Sequence, residues 1–240
     1  MNKQWWKKAV VYQIYPKSFC DGNGDGIGDL RGIISKLDYI KSLGADIIWL
    51  SPIYVSPDMD NGYDISDYYN IQPVYGTMAD FDELLTKTHN MGMRLVMDLV
   101  VNHTSNMHPW YLQSESDKNS KYRNYYYWRK GKNGGTPNNW NAYFGGSAWT
   151  YSAKTDEYSL GVFSPYQPDL NWSYPALRNE IYDMMRFWLD KGIDGFRLDA
   201  IHCIGKNVLL PDSADGSPLV KDGTVHEYLK DMNSEVLKNY

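Results

Sequence analysis

Asp199 closes the run GFRLD, and Arg197 stands two residues before it. In an extended strand, residues i and i+2 face the same side, so a guanidinium and a carboxylate become neighbours at the strand's carboxyl end. An arginine so placed holds the carboxylate ionised and aimed, as a nucleophile at an acetal carbon requires. A buried ion pair with a purely structural role fits the same spacing. His103, in DLVVNHTS, follows another apolar run. Its imidazole can donate to a sugar hydroxyl or support a carboxylate, and a satisfied structural histidine is the competing reading. Asp60 and Tyr63 belong to MDNGYDISDY. Asp60 can accept hydrogen bonds from sugar hydroxyls while Tyr63 offers a stacking face. Turn formation by Asp-Asn-Gly accounts for Asn61 and Gly62 but poorly for Tyr63.

A different chemistry is suggested by DGNGDGIGD at residues 21–29. Asp21, Asn23 and Asp25 alternate, Gly26 allows a sharp bend, Ile27 can offer its carbonyl, and Asp29 adds a carboxylate. This is the oxygen-rich start of a calcium loop, with Gly32 where a full EF-hand has its bidentate Glu. A structural Ca2+ site, with Mg2+ as the alternative ion, is the expectation; a solvated Gly-rich turn competes with it. The stretch is not a phosphate loop, because no Gly-Lys-Ser/Thr follows and three carboxylates would repel phosphate.

Composition narrows the classes. The 240 residues carry 24 basic and 29 acidic side chains, a formal charge of -5, with no basic block. Nucleic-acid and anionic-membrane partners are therefore not expected. The two cysteines, Cys20 and Cys203, fit a reducing compartment or two inert thiols rather than a disulfide scaffold. His and Cys are too scattered for a zinc cluster. The start lacks a signal-peptide pattern and no long uncharged apolar run occurs, so a cytoplasmic location is expected. Nine Trp and 21 Tyr gather in polar, Gly-rich segments, which suits ring stacking on sugars as well as ordinary packing.

The elements that must position these residues alternate. AVVYQIY reads as a buried strand ended by Pro16, and Leu30 to Leu43 as one helix stopped by Gly44. ADIIWLSP, RLVMDLVV and IDGFRLDAI read as further strands, RLVMDLVV being almost continuously apolar, as parallel sheets require. TMADFDELLTKTHNMG and YPALRNEIYDMMRFWLDKG read as amphipathic helices, and a helix over VHEYLKDMNSEVLKNY follows a Pro-, Gly- and Asp-rich stretch at 210–223. Met184, Met185, Phe187 and Trp188 are most simply core. Strand and helix alternate as in an α/β parallel sheet. Residues 104–172 interrupt the alternation and are too long for an ordinary βα connection. A small inserted subdomain is expected there, with a short strand around EYSLGVF. The division is then 1–103, 104–172 and 173–240. Four β/α units leave a barrel half built, so the chain reads as the front part of a longer protein. Asn102-His-Thr and Asn171-Trp-Ser match the glycosylation triplet, here as chance matches.

Taken together, WWKKAVVYQIYPKSF, NGDGIGDLRGI, LDYIKSLG, DNGYDISDY, DLVVNH, FGGSAW, QPDLNW and GFRLDAI resemble the alpha-amylase superfamily, in its oligo-1,6-glucosidase and alpha-glucosidase branch. The resemblance implies a (β/α)8 TIM barrel with a subdomain inserted after strand three, and a retaining glycoside hydrolase. It implies Asp199 as nucleophile, Arg197 as its supporting cation, and Asp60, Tyr63 and His103 around the non-reducing glucose. Phe144 and Phe163 would wall that pocket, Gln167 would border it, and Asp21, Asn23, Asp25, Ile27 and Asp29 would form the metal loop. No organic cofactor is implied.

The family's proton donor, a Glu after strand five, and its Asn-His-Asp carboxylate have no counterpart in these residues. A retaining glycosidase needs two carboxyls, so residues 1–240 alone are expected to be inactive. Ala200 follows the nucleophile; a small residue there is associated in related enzymes with α-1,4 preference, and Val with α-1,6. One missing branch is worth about 1–3 kcal/mol of discrimination at most. The expected substrates are thus short α-1,4-linked glucosides, with oligo-1,6-glucosidase, dextran glucosidase and sucrose isomerase activities as alternatives. A non-catalytic glycan-binding or partner protein on the same fold is the alternative of another class. It is disfavoured by the intact Arg197 and Asp199 and by the missing membrane span. The parent is expected to be a monomer or weak dimer.

Overall fold

A computed structural model describes residues 5–220 and 223–240. The first four residues, and Lys221 and Asp222 of the Pro-, Gly- and Asp-rich stretch, lie outside the described residues. In chain order the elements are β1 (Val11–Ile14), α1 (Pro16–Phe19), α2 (Leu30–Ser35), α3 (Leu37–Ser42), β2 (Ile47–Leu50) and β3 (Tyr54–Val55). Next come β4 (Asp67–Ile71), α4 (Met78–Asn90), β5 (Arg94–Val100), α5 (Pro109–Ser116), β6 (Trp128–Arg129) and β7 (Trp149–Ser152). The remainder are β8 (Glu157–Leu160), α6 (Pro175–Asp190), β9 (Gly195–Asp199) and α7 (Thr224–Glu235). Two compact units divide the chain: residues 1–55, 68–99 and 187–198 form one, and residues 56–67, 100–186 and 199–240 the other. No helix among the described residues is long and apolar enough to cross a membrane.

The first unit is built on a four-stranded sheet of order β1-β2-β5-β9. β1 and β2 run parallel with Val11 opposite Ile47, and β2 and β5 run parallel with Ile47 opposite Arg94. Parallel strands need crossovers, and α2, α3 and α4 supply them. Ile48, Leu50, Leu95 and Met97 are fully buried, as are Leu30, Ile33, Ile40, Phe81 and Leu84 on those helices. α4 starts at a capping box: Asp80 N donates to Thr77 Oγ1 at 3.2 Å, and Thr77 N donates to the Asp80 carboxylate at 2.8 Å. This is the opening architecture of a (β/α)8 barrel, as the motifs imply.

Local departures from the sequence reading have identifiable causes. β1 is not a buried strand: Val10 and Val11 are about half exposed and only Ile14 is sealed, because β1 lies at the sheet's edge. The expected helix from Leu30 to Leu43 is two short helices, since the chain tightens at Lys36, whose N–H donates to Ile33 O at 3.0 Å. α7 ends at Glu235, where Val236 leaves helical geometry at φ -126° and ψ -71°.

The second unit holds the inserted stretch. β6, β8 and β7 form a three-stranded antiparallel sheet, with Trp128 opposite Ser159 and Trp149 opposite Leu160. β8 occupies the expected EYSL. Tyr127, Trp140, Trp149, Leu160, Val162, Cys203 and Leu210 form its apolar cluster. The two indole N–H groups find acceptors: Trp140 donates to Pro211 O at 3.0 Å and Trp149 to Asn138 Oδ1 at 2.6 Å. α5 has no counterpart in the sequence reading. Pro109 opens it and His108 caps it, its Nδ1 accepting from Trp110 N at 3.1 Å.

Candidate active site

In the second unit, Asp60 is presented by a tight turn. Asn61 (φ 50°) and Gly62 (φ 92°) both adopt left-handed backbone, and Tyr63 N donates to Asp60 O at 2.9 Å. Two consecutive positive φ values make this a type I′ turn, which Asn-Gly favours. Beneath it the sealed Asp64 carboxylate accepts from Ser56 Oγ at 3.0 Å, Met59 N at 3.1 Å and Asp60 N at 3.0 Å. The turn reading of this motif is therefore seen in the structure, and the turn fixes where the Asp60 carboxylate points.

That carboxylate accepts a hydrogen bond from Gln167 Nε2 at 2.7 Å, and Gln167 Oε1 accepts from Ser164 Oγ at 2.8 Å. Gln167 has no exposed surface. Burial raises the pKa of Asp60; the Gln167 bond opposes this, and the charges of Asp64 and Asp199 add to it. Four residues from Gln167, Phe163 lies 5.1 Å from the His103 ring, 5.1 Å from Tyr143 and 5.8 Å from the exposed Phe144. Phe163 thus joins His103, Tyr143 and Phe144 in one aromatic group.

His103 is buried. Its Nε2 lies 3.2 Å from Tyr63 O and 3.1 Å from Gln167 Nε2, and its Nδ1 lies 3.2 Å from Asn102 Nδ2. Burial pushes its pKa down to about 3, the Tyr63 carbonyl working against this and the Lys206 charge with it. Burial thus favours the neutral ring at neutral pH, in which it serves as a hydrogen-bonding group. Tyr63 is half-buried and joins the group through its carbonyl. Asp60, Tyr63, His103, Phe163 and Gln167 are accordingly brought together, with Phe144 at their rim.

Sequence reasoning missed the polar group behind His103. Lys206 and Asp169 are both sealed and their charged atoms lie 3.0 Å apart. Lys206 Nζ also donates to Asn102 Oδ1 at 2.8 Å and to Cys203 O. Asn102 Nδ2 donates to Asp169 Oδ1 at 3.2 Å. Asn102 lies in one glycosylation triplet but has no exposed surface, so it is no acceptor in the folded chain. Lys206 carried no local signal beyond its oddity in the apolar run IHCIGK.

In the first unit, Arg197 Nη1 donates to both Asp98 oxygens, at 3.0 and 3.2 Å. The guanidinium lies 4.7 Å from the Trp49 ring centre, and Trp49 Nε1 donates to Asp98 Oδ2 at 3.1 Å. Asp98 was not singled out from the sequence, although it sits in DLVVNH. Asp199 ends β9 half-buried, and Ala200 turns the chain there in the left-handed region, φ 41° and ψ 28°.

The loop at 21–29 belongs to the first unit. Asp21 Oδ1 accepts from Asn23 N and Gly24 N at 3.0 and 2.6 Å, and its Oδ2 from Gly26 N at 2.8 Å. These backbone bonds, Gly26 first, lower the pKa of the fully exposed Asp21 carboxyl. Asp25 Oδ1 accepts from Ile27 N at 2.8 Å. Asp29 is engaged elsewhere, capping α2 by accepting from Gly32 N at 2.6 Å and also accepting from Gly22 N at 3.3 Å. Among the described residues no three His, Cys, Asp or Glu side chains converge as metal ligands.

The alpha-amylase catalytic domain family matches residues 13–240. The chain is 58% identical over 249 aligned residues to an oligo-1,6-glucosidase of Parageobacillus thermoglucosidasius, covering all of this chain and 44% of that protein. A solved trehalose-6-phosphate hydrolase of Bacillus licheniformis superposes with a TM-score of 0.96 at 55% identity, over 98% of this chain and 43% of the other. An isomaltulose synthase from Klebsiella sp. LX3 superposes with a TM-score of 0.97 at 50% identity, over 100% and 44%. The chain spans less than half the length of each of these relatives. With its motifs in order, its parallel sheet and a family match over nearly all of its residues, the chain belongs to the alpha-amylase family.

Proposed function

We propose that the full-length protein is a retaining α-glucosidase that removes glucose from the non-reducing ends of short α-glucosides. The observation that carries this is the hydrogen-bonded set of the half-buried Asp60 with the sealed Gln167 and His103, with Phe163 against the His103 ring. A carboxylate acceptor, neutral imidazole and amide beside an aromatic wall match the edges and face of a sugar ring.

Asp199 is the proposed nucleophile. Its carboxylate oxygen attacks the anomeric carbon as the glycosidic bond breaks, giving a glucosyl ester, and the leaving oxygen takes a proton from a second carboxyl group. By resemblance that group is a Glu after a fifth strand. Its carboxylate then takes a proton from water, whose oxygen displaces Asp199. Arg197 holds its place through Asp98 and Trp49. On linkage, the α-1,4 leaning taken from Ala200 finds no support in the relatives' names. The 58% identity to an oligo-1,6-glucosidase favours α-1,6-linked substrates, and these are the ones we propose.

In the full-length protein, Asp199→Ala is expected to lower turnover of p-nitrophenyl α-glucoside by on the order of a thousandfold or more, as loss of a covalent nucleophile does. Near-parental turnover would remove the assignment. Isomaltose cleaved faster than maltose supports the α-1,6 reading, and the reverse order restores α-1,4.

We further propose that the 21–29 loop takes up Ca2+ through Asp21, Asn23, Asp25 and the Ile27 carbonyl. Hard oxygen donors and an ionised Asp21 suit that ion, whereas Asp29 is engaged in capping. The bound ion would supply charge neutralisation to the loop and take no part in bond breaking.

A further inference from the structure

We propose that the buried Lys206–Asp169 pair, acting through Asn102, sets the tautomer of His103, so that its ring carries its proton on Nε2. Lys206, Asp169 and Asn102 are then positioning residues for the pocket. The Lys206 ammonium has three protons and no acceptor. Two of them go to Asn102 Oδ1 at 2.8 Å and to Cys203 O, and the ammonium pairs electrostatically with Asp169 Oδ2 at 3.0 Å. The Asn102 amide therefore has one tenable orientation. Flipping it would turn its NH2 against an ammonium and its oxygen against the Asp169 carboxylate, both sealed from water.

With the amide fixed, Asn102 Nδ2 spends one proton on Asp169 Oδ1 and aims the other at His103 Nδ1, each at 3.2 Å. Nδ1 must then accept, and a neutral imidazole that accepts at Nδ1 carries its proton on Nε2. Nε2–H faces the Tyr63 carbonyl at 3.2 Å. Gln167 Nε2, 3.1 Å away, is itself a donor with Asp60 as an acceptor, so this tautomer sets two donors against each other there and gives up that one contact. The opposite tautomer would satisfy Gln167 and place two donors face to face at Asn102 while losing Tyr63. A sugar hydroxyl entering here would share the His103 Nε2–H with the Tyr63 carbonyl, beside the Asp60 carboxylate as acceptor. The tautomer stands on hydrogen bonding alone; only its effect on substrate binding rests on the proposed glucosidase activity.

The test is neutron diffraction from deuterium-exchanged crystals of the full-length protein at neutral pH. Deuterium on His103 Nε2, a bare Nδ1 and Asn102 deuterons directed at Asp169 and His103 are expected. Deuterium on Nδ1, or a flipped Asn102 amide, overturns the inference whether or not the protein hydrolyses glucosides. Asn102→Asp replaces the donor facing Nδ1 by an acceptor. In that variant the deuteron should move to Nδ1, and KM for p-nitrophenyl α-glucoside should rise about tenfold, with kcat changing less, as for one misdirected hydrogen bond. A variant that folds with its deuteron still on Nε2 overturns the inference; one that does not fold leaves the parental neutron map to decide.

Discussion

Ala200 is held at φ 41°, where a Cβ is crowded against its own backbone. Glycine relaxes that crowding, so Ala200→Gly in the full-length protein should raise stability by about 0.5–1 kcal/mol. A lower urea midpoint would show that the turn is unstrained. A branched residue there would carry more strain than Ala. His108 supports a second prediction. Burial pushes its pKa down to about 4, with Asp67 opposing. Its folded value lies below its ordinary 6.5, so the unfolded chain takes up the proton first and stability falls as pH drops from 6.5 towards 4. His108→Asn keeps an acceptor for Trp110 N and removes that titration. The variant should lose less stability between about pH 7 and pH 5 than the parent, and equal losses would contradict it. The raised carboxyls of Asp60 and Asp169 pull the other way in both proteins and cancel from the comparison. At this scale Asp60 and His103 were legible as ligand types, but their meeting at Gln167 was visible only by resemblance. Lys206 and Asn102 were not, because a lysine joined to a partner 104 residues away leaves no local pattern.

Among the elements, the legible ones were those whose burial is periodic or continuous. β2 follows from an unbroken apolar run and β5 from a nearly continuous one, and α4 from Phe81, Leu84 and Leu85 behind a cap that Thr77 and Asp80 close. The short pieces β6 and β7 and the helix α5 were not legible. Their stability comes from side chains distant in sequence, as when Trp128 Nε1 donates to Ser114 Oγ at 2.7 Å and the rings of Tyr111 and Trp128 stack at 5.7 Å. The 21–29 loop carries the prediction at this scale. Calcium added to metal-stripped full-length protein should raise its thermal midpoint, and Asp21→Ala should abolish the response. No response at millimolar Ca2+ would leave the loop as a set of Asx turns leading into α2.

For the molecule as a whole, the sheet order β1-β2-β5-β9 leaves β1 and β9 at its two edges among the described residues. Unpaired strand edges invite pairing with another chain, and Val10 and Val11 of the first edge are about half exposed. Residues 1–240 produced alone should therefore self-associate, and light scattering should find more than one copy per particle. A monomer that unfolds in one cooperative step would contradict this. The same organisation gives the two thiols different fates. Cys203 is sealed and its pKa is pushed up to about 11 by burial, while Cys20 is half open to solvent beside Ser35. A maleimide dye on the native fold would enter at Cys20 and spare Cys203. Within this stretch the protein thus carries a ready attachment point for fluorescence, placed just ahead of the 21–29 loop, where the proposed uptake of an ion could be followed.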